Sequence, residues 1–192
     1  MARPSRKQEI QDKIFAAAFQ LVSEGGFQQS PMSKLAQLSK VSIGSIYLYF
    51  PSKEALIQAL FDHVRMEMEH AIMKGYNRKA SIRSRFKTIF LNTCDYYRNH
   101  KDHFIFMDQF LLSGYNKDVL EAFSENLSKE FLLLYKDGMK SKDLKPIRFE
   151  NVLSLSYGPI VSLFKKYHTG YIRMSLDTIV ELEECVWQAV RS

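Results

Sequence analysis

Apolar residues recur every three or four positions along almost the whole chain, whereas sustained alternation of apolar and polar residues is hard to find. This spacing predicts amphipathic α-helices and argues against β-strands. The first helix should begin at the capping residue Ser5, carry an apolar stripe from Ile10 to Val22, and end at Gly25-Gly26, since glycine readily adopts the left-handed backbone of a helix end. Later stripes follow at the same period, which predicts an all-α protein of about nine helices.

Two short helices and a longer one are predicted after the first. Ser30 suits the N-cap of a helix of about eight residues, with Pro31 at its first position, where the missing N–H would have no helical partner. After a short turn, Ser42 can cap a second helix that ends before Pro51, and Ser52 can cap the next one. Two short helices joined by such a turn form a helix-turn-helix.

Length and composition are those of a folded globular protein, with 192 residues, 46% hydrophobic and 25% charged. The longest uncharged stretch, 151–164, is shorter than the roughly 20 apolar residues that span a bilayer. No apolar signal segment follows the basic N-terminus, so we expect a cytoplasmic protein without a membrane span. Cys94 and Cys185 lie far apart and outside any CxxC spacing, which favours two reduced thiols over a disulfide.

Positive charge is concentrated in the first quarter of the chain. Residues 1–53 carry seven basic and three acidic side chains, which accounts for four of the six net positive charges. A basic segment on a nearly neutral remainder suggests a site for a polyanion at one end of the molecule. The charge alone is equally compatible with an ordinary solvated surface.

The segment from Leu35 to Leu56 resembles the DNA-binding signature of the tetracycline-repressor (TetR) family of bacterial regulators. The matching residues, at the spacing of the family, are Leu35-Ala36, Val41-Ser42, Gly44, Tyr47-x-Tyr49-Phe50, Ser52-Lys53-Glu54 and Leu56. One departure is Ser39-Lys40, where the family commonly has Ala-Gly, so Lys40 should occupy a turn position that glycine takes more easily. The resemblance implies a helix-turn-helix DNA-binding domain at 1–53 and a ligand-binding and dimerisation domain at 54–192. The alternative is a helical subdomain that no longer binds DNA.

The second helix of this motif has an inner and an outer face. Val41, Ile46 and Phe50 are spaced to pack inward. We expect Ile43 and Leu48 on the outer face to meet thymine methyl groups in the major groove. The residues predicted to face the groove are Ser42, Ile43, Gly44, Ser45, Tyr47, Leu48 and Tyr49.

Phosphate contacts are expected from different side chains. Tyr47 and Tyr49 can donate phenolic hydrogen bonds, Lys53 brings charge to a helix N-terminus, and Ser33 can reach the groove edge; family members use matching positions in these roles. A basic arm at the N-terminus either enters an adjacent minor groove or only screens phosphates. Its basic residues are Arg3, Arg6 and Lys7.

Aromatic residues are frequent after residue 75. The resemblance implies that some line a ligand cavity, and a bend at Gly158-Pro159 would help to leave one open. The alternative is an ordinary aromatic core. The candidate lining residues are Phe86, Phe90, Phe110, Phe123, Phe131 and Tyr157.

The last two helices carry apolar stripes with few charges. The resemblance implies that they form a four-helix interface with a second copy, and the alternative is burial within one chain. A lone helix-turn-helix binds DNA weakly and two-fold symmetry is the usual remedy. The candidate interface residues are Val152, Leu155, Val161, Ile179, Leu182, Val186 and Trp187.

Two rows of histidines have helical spacing. His100 and His103 form one, while His63, Glu67 and His70 form the other. Neither row has a complete ligand set, so we expect no metal site and an exposed polar corner at His100 to His103. The sequence also has no nucleophile elbow, phosphate-binding loop or HExxH motif. We therefore predict neither an enzyme nor a cofactor.

Together these features predict a homodimeric repressor that a small-molecule effector releases from a palindromic double-stranded DNA operator. Effector binding in the C-terminal domain would favour a conformer in which the fourth helix holds the two DNA-binding domains at the wrong separation. One alternative is a DNA-binding organiser that a protein partner controls, with no small-molecule effector. Another is a helical enzyme or carrier that keeps the N-terminal motif as a relic.

Overall fold

The computed structural model describes residues 5–26, 31–113 and 119–192, except for the side chains of residue 112 and residues 119–128. These described residues form nine helices and no β-strand, which confirms the all-α prediction. Among them, no helix combines the length and the hydropathy that a membrane crossing requires. The helices are α1 (Arg6–Gly25), α2 (Met32–Ser39), α3 (Ile43–Tyr49), α4 (Lys53–Ile72), α5 (Ile82–Asn99), α6 (Lys101–Leu112), α7 (Val119–Ser141), α8 (Phe149–His168) and α9 (Leu176–Val190).

The chain divides into two compact units, of which the first comprises Met1–Val64 and Asp102–Asn116. Here α1 packs on α2, and α2 packs on α3. Phe15 of α1 stacks on Phe50 at the end of α3, with ring centroids 5.7 Å apart. This stack and the complete burial of Ile46 anchor α3 and so fix which of its faces points outward.

Capping groups set the ends of α1 largely as the sequence predicts. The Ser5 hydroxyl accepts the backbone N–H of Gln8 at 3.2 Å, while the side-chain amide of Gln8 donates to Asp12 and so does not complete a reciprocal capping box with Ser5. Gly26 closes the helix with φ +75°, and its N–H donates to the Val22 carbonyl. The helix end therefore depends on the left-handed backbone that glycine allows.

The predicted start of α2 was wrong by one residue. Pro31 is the N-cap, with φ −70° and ψ 145°, and the helix begins at Met32. The fixed φ of proline suits an extended N-cap as well as a first helical turn, so the sequence could not distinguish the two positions. The Pro31 carbonyl accepts the first helical N–H groups, from Lys34 and Leu35. The predicted N-cap, Ser30, lies outside the described residues.

The turn between α2 and α3 confirms the expectation for Lys40. Its backbone is left-handed, with φ 55° and ψ 30°, a conformation that costs a side chain with a Cβ roughly 1–2 kcal/mol. Ser42 then caps α3 by accepting the Ser45 N–H, and Ser52 caps α4 by accepting the Ala55 N–H at 3.1 Å. The helix-turn-helix frame is therefore intact despite the lysine.

The second unit comprises Arg65–Lys101 and Lys117–Ser192. In this unit α5 contacts α7, α8 and α9, and α8 packs on α9. Two arginines of α5 are paired: the buried Arg85 donates to Asp137 of α7, and the half-buried Arg83 donates to the buried Glu183 of α9. The helix α8 continues through Pro159, which lies inside it.

Candidate nucleic-acid interface

The outer face of α3 exposes apolar side chains. Leu48 is 87% exposed, and Ile43 and Tyr47 are each 45% exposed. Ile46 and Phe50 are buried and Val41 is half-buried, so the helix has the inner and outer faces expected from its spacing. Exposure of large apolar side chains to water is unfavourable. Several of them together on one short helix are therefore typical of a surface that binds a partner.

Gly44 lies on the same exposed face. A Cβ built at this position meets no atom within 4 Å, so packing within the chain does not require glycine here. Glycine lowers the stability of a helix interior by about 1 kcal/mol relative to alanine. The residue therefore has no local structural advantage, whereas a missing side chain lets a partner approach the backbone of α3 closely.

Three other side chains proposed to contact phosphate differ in exposure. Ser33 is exposed near the start of α2, while Tyr49 and Lys53 are half-buried at the end of α3 and the start of α4. The exposed Glu54 follows Lys53, and hydrogen bonds from its own backbone N–H and from Ser52 lower the pKa of its carboxyl group. This carboxylate stays ionised and partly offsets the charge that Lys53 offers to a phosphate.

Exposed basic residues continue at the N-terminus of α1. Arg6 and Lys7 occupy its first turn and are exposed, whereas Arg3 lies outside the described residues. Lys34 on α2 is less available because it forms an ion pair with Glu24 at 3.4 Å. Among the described residues of this basic arm, Arg6 and Lys7 are thus the ones that offer exposed positive charge.

The candidate ligand-lining residues do not form one cluster. Phe86 contacts Phe90 and Phe131, with ring centroids 6.0 and 6.5 Å apart, and all three are buried. The second unit therefore holds an aromatic core around α5, to which Trp187 of α9 adds a ring 5.3 Å from Phe86. The side chain of Phe123 lies outside the described residues.

Two other candidates lie elsewhere. Phe110 stacks on Phe61 and Phe106 inside the first unit. The Tyr157 hydroxyl lies 2.6 Å from that of Tyr97 in the second unit. Sequence spacing did not identify this tyrosine pair, because the two residues come from α5 and α8 and meet only through tertiary packing.

A small apolar cavity of about 30 Å³ lies in the first unit. It is close to the size of one water molecule, so it offers no room for an effector. None of the candidate ligand-lining residues lines this cavity. Its lining residues come from α1, α2 and α4 and are Ala18, Leu21, Val22, Met32, Leu35, Lys53, Leu56, Ile57 and Leu60.

The candidate dimer residues are mostly inside their own chain. Val152, Ile179, Val186 and Trp187 are buried, and Val161 and Leu182 are half-buried. Only Leu155 is exposed, at 41%. Other apolar residues of α8 and α9, which the predicted stripes did not include, are exposed instead; they are Leu153, Leu176 and Val180. The stripes missed them because helical spacing identifies an apolar face but does not show which other residues pack against it.

The predicted polar corner at His100 to His103 was wrong for His103. This side chain is only 6% exposed and lies on α6 with its ring 4.8 Å from that of Phe19. His100 ends α5 and stacks on Tyr96. The apolar stripe predicted for α1 consisted of Ile10, Ile14, Ala17, Ala18, Leu21 and Val22 and so omitted the buried Phe19 that contacts this histidine.

Two family models match the chain and together cover most of it. Residues 14–60 match "Bacterial regulatory proteins, tetR family", and residues 61–192 match "Tetracyclin repressor-like, C-terminal domain". The fold is similar to that of a TetR family transcription regulator from Marinobacter aquaeolei VT8, with a TM-score of 0.89 and 19% identity over 97% of this chain and 98% of that one.

Two further matches bear names related to fatty acid metabolism. The fatty acid metabolism regulator protein of Bacillus subtilis (strain 168) is 30% identical over 77 residues. That match covers 40% of each protein, so this chain spans less than half of that relative. The structure of FadR from Bacillus subtilis in complex with stearoyl-CoA has a TM-score of 0.72 and 20% identity over 92% of this chain and 95% of that one.

Proposed function

Because the chain belongs to the tetR family of bacterial regulatory proteins, we propose that it is a repressor that a small molecule releases from a palindromic operator. The observation that carries the DNA-binding part is the exposed apolar face of α3, with Ile43, Gly44 and Leu48 at its centre. A helix with this face is suited to the major groove, where thymine methyl groups offer apolar contacts.

Sequence readout by α3 depends on shape and apolar contacts. From Ser42 to Tyr49 there is no Arg, Lys, Asn or Gln, the side chains that make bidentate contacts to guanine or adenine. Ile43 and Leu48 supply discrimination, while Tyr47, Tyr49 and Lys53 supply affinity through phosphates. The arm with Arg6 and Lys7 adds contacts that sense the shape of the duplex.

Two copies of the helix-turn-helix are needed for tight binding to an operator. The exposed side chains Leu153 and Leu155 on α8, and Leu176 and Val180 on α9, supply apolar surface for a second copy of the chain. Burial of such groups at about 25 cal/mol per Å² is the main driving force of association. These exposed residues replace the buried members of the predicted stripe as the proposed contacts.

An apolar effector with one polar end suits the second unit. The aromatic side chains around Phe86 are apolar, and the paired hydroxyl groups of Tyr97 and Tyr157 lie elsewhere on α5 and α8. Stearoyl-CoA, which the FadR structure contains, has this chemistry. Long-chain acyl-CoA thioesters are therefore the first class of effector to test.

The effector acts by shifting an equilibrium between conformers. It can lower operator affinity only by binding more tightly to a conformer in which the two DNA-binding domains no longer match successive major grooves. When the two DNA-binding domains fit successive major grooves, their recognition helices lie roughly 34–36 Å apart. Effector binding therefore changes this separation.

The proposal is tested by selecting DNA from a random pool with the purified protein and measuring affinity by fluorescence anisotropy. A palindromic site should emerge, and a panel of acyl-CoA thioesters of increasing chain length should include members that weaken its binding. Free fatty acids and coenzyme A serve as matched controls for the two halves of the ligand. Selection of no palindrome contradicts the operator proposal, and affinity unchanged across a broad ligand screen favours control by a protein partner.

A further inference from the structure

His63 of α4 and His103 of α6 place their imidazole rings next to each other in the first unit. Their ring centroids are 5.9 Å apart and the ring planes lie at 80°. Ligand nitrogens of the two rings lie within 4.8 Å of each other. The two rings therefore meet edge to face and are not stacked on each other.

Aromatic side chains of α1 hold the two imidazoles in place. The Phe19 ring lies 4.8 Å from His103, and the Phe15 ring lies 5.1 Å from His63. Phe106 packs edge-on against Phe19 and fixes it in turn. His103 is buried while His63 is half-buried, so the pair has a rigid inner member and an outer member within reach of solvent.

We propose that His63 and His103 bind a divalent transition-metal ion of the Zn²⁺ class. Neutral imidazole suits Zn²⁺, Cu²⁺ and Ni²⁺, whereas Mg²⁺ and Ca²⁺ require oxygen ligands. With Zn–N bonds of about 2.0–2.1 Å, two nitrogens on one tetrahedral ion lie roughly 3.4 Å apart. Because the two nitrogens already lie within 4.8 Å of each other, they need to approach by at most about 1.4 Å, which rotation of the half-buried His63 side chain supplies.

The remaining coordination positions have donors on the open side of the pair. Water reaches the half-buried His63 and can supply the remaining ligands, as it does in zinc sites with an open position. The ion would join α4 to α6 within the first unit and raise its stability by mass action.

The test uses untagged full-length protein, freed of metal with EDTA and titrated with ZnCl₂ against a chromophoric chelator. Wild type should bind one Zn²⁺ per chain, and His63→Gln should weaken that binding by at least about tenfold. His103→Gln should do the same. Co²⁺ titration provides a second measurement, because its visible absorption reports nitrogen ligands directly.

His70→Gln is the matched control, since His70 is an exposed histidine on the same helix. It should bind Zn²⁺ as wild type does, and circular dichroism should show each variant folded. Zn²⁺ affinity of His63→Gln equal to that of wild type would overturn the proposal, as would an equal loss in His70→Gln. The readout is metal binding alone, so its result is independent of the proposed operator and effector.

Discussion

The hydroxyl groups of Ser42 and Ser45 lie 2.7 Å apart at the start of α3, and the Ser45 N–H donates to the Ser42 hydroxyl at 3.1 Å. The two polar side chains at the leading end of the recognition helix thus satisfy each other before any partner arrives. A base contact by Ser45 has to compete with this pair. Apolar contact by Ile43 and Leu48 has no such competition, which supports the proposal that these two residues supply the direct readout.

Gly44→Ala should separate folding from DNA binding. Because the added Cβ meets nothing in the chain, alanine should stabilise α3 by up to about 1 kcal/mol through its higher helix propensity. The same methyl group would stand between α3 and the floor of the major groove, so operator affinity should fall. Urea unfolding and anisotropy on the same preparation measure both effects, and unchanged affinity would remove Gly44 from the interface.

Lys53→Ala and Ile43→Ala should affect DNA binding in different ways. Loss of the Lys53 charge should weaken binding to operator and to random DNA alike, and should reduce the salt dependence by about one unit of slope. Loss of the Ile43 side chain should lower operator affinity by about 1 kcal/mol and leave random DNA nearly unaffected.

These two variants serve as controls for each other, and affinity is measured by anisotropy between low and moderate salt. An effect of Lys53→Ala on the operator complex alone would show that Lys53 reads sequence. An unchanged operator affinity in Ile43→Ala would show that this side chain makes no base contact.

Lys40→Gly should stabilise the protein, because glycine adopts the left-handed backbone of this turn without the cost imposed by a Cβ. We expect a gain of about 0.5–1 kcal/mol in the free energy of unfolding. Lys142, with φ 62°, offers a matched substitution in the second unit, and Lys142→Gly should give a similar gain. Equal stability of Lys40→Gly and wild type in urea unfolding would contradict a strained turn.

Leu155→Glu combined with Val180→Glu should yield monomers that bind the operator weakly. Both side chains are exposed in the single chain, so the substitutions introduce charge into the proposed interface without disturbing the core. Sedimentation of wild type should give about twice the chain mass of 22.4 kDa. Met66→Glu, at another exposed apolar position, should remain a dimer, and a monomeric wild type would contradict the proposed assembly.

Cys94 should be inert in the folded protein. Burial, with smaller effects from Glu183 and Asp95, raises the pKa of its thiol to about 12, and the thiolate is the form that reacts. In a Cys185→Ser variant, whose only thiol is Cys94, a disulfide reagent should react only after unfolding. Reaction of the native variant at pH 8 would be inconsistent with this burial.

The same raised pKa makes stability depend on alkaline pH. The unfolded thiol ionises near its ordinary pKa while the folded thiol stays protonated, so the contribution of Cys94 is complete below about pH 8.5 and declines as pH rises towards 12. Urea unfolding between pH 7 and pH 10 should therefore show a steeper loss in wild type than in Cys94→Ala.

The sequence determined the helical content and most of the ends of the first helices because the interactions that set them are local. A cap such as Ser42 acts three residues away, and the left-handed turn at Lys40 follows from its place between two short helices. The outer face of α3 was also predictable, since helical spacing alone separates Ile46 from Leu48. The start of α2 was predicted one residue too early, because the φ of Pro31 suits both the N-cap and the first helical position.

Only the tertiary structure decided which surfaces meet. His103 has the local sequence of an exposed corner, yet α6 places it against Phe19 and beside His63. Val186 is buried within its own chain and Leu155 is not, although both belong to apolar stripes. Helical periodicity determines which side chains lie on the same face of a helix. The residues that pack against that face are distant in the sequence, and whether they reach it depends on how all the helices of the unit pack together.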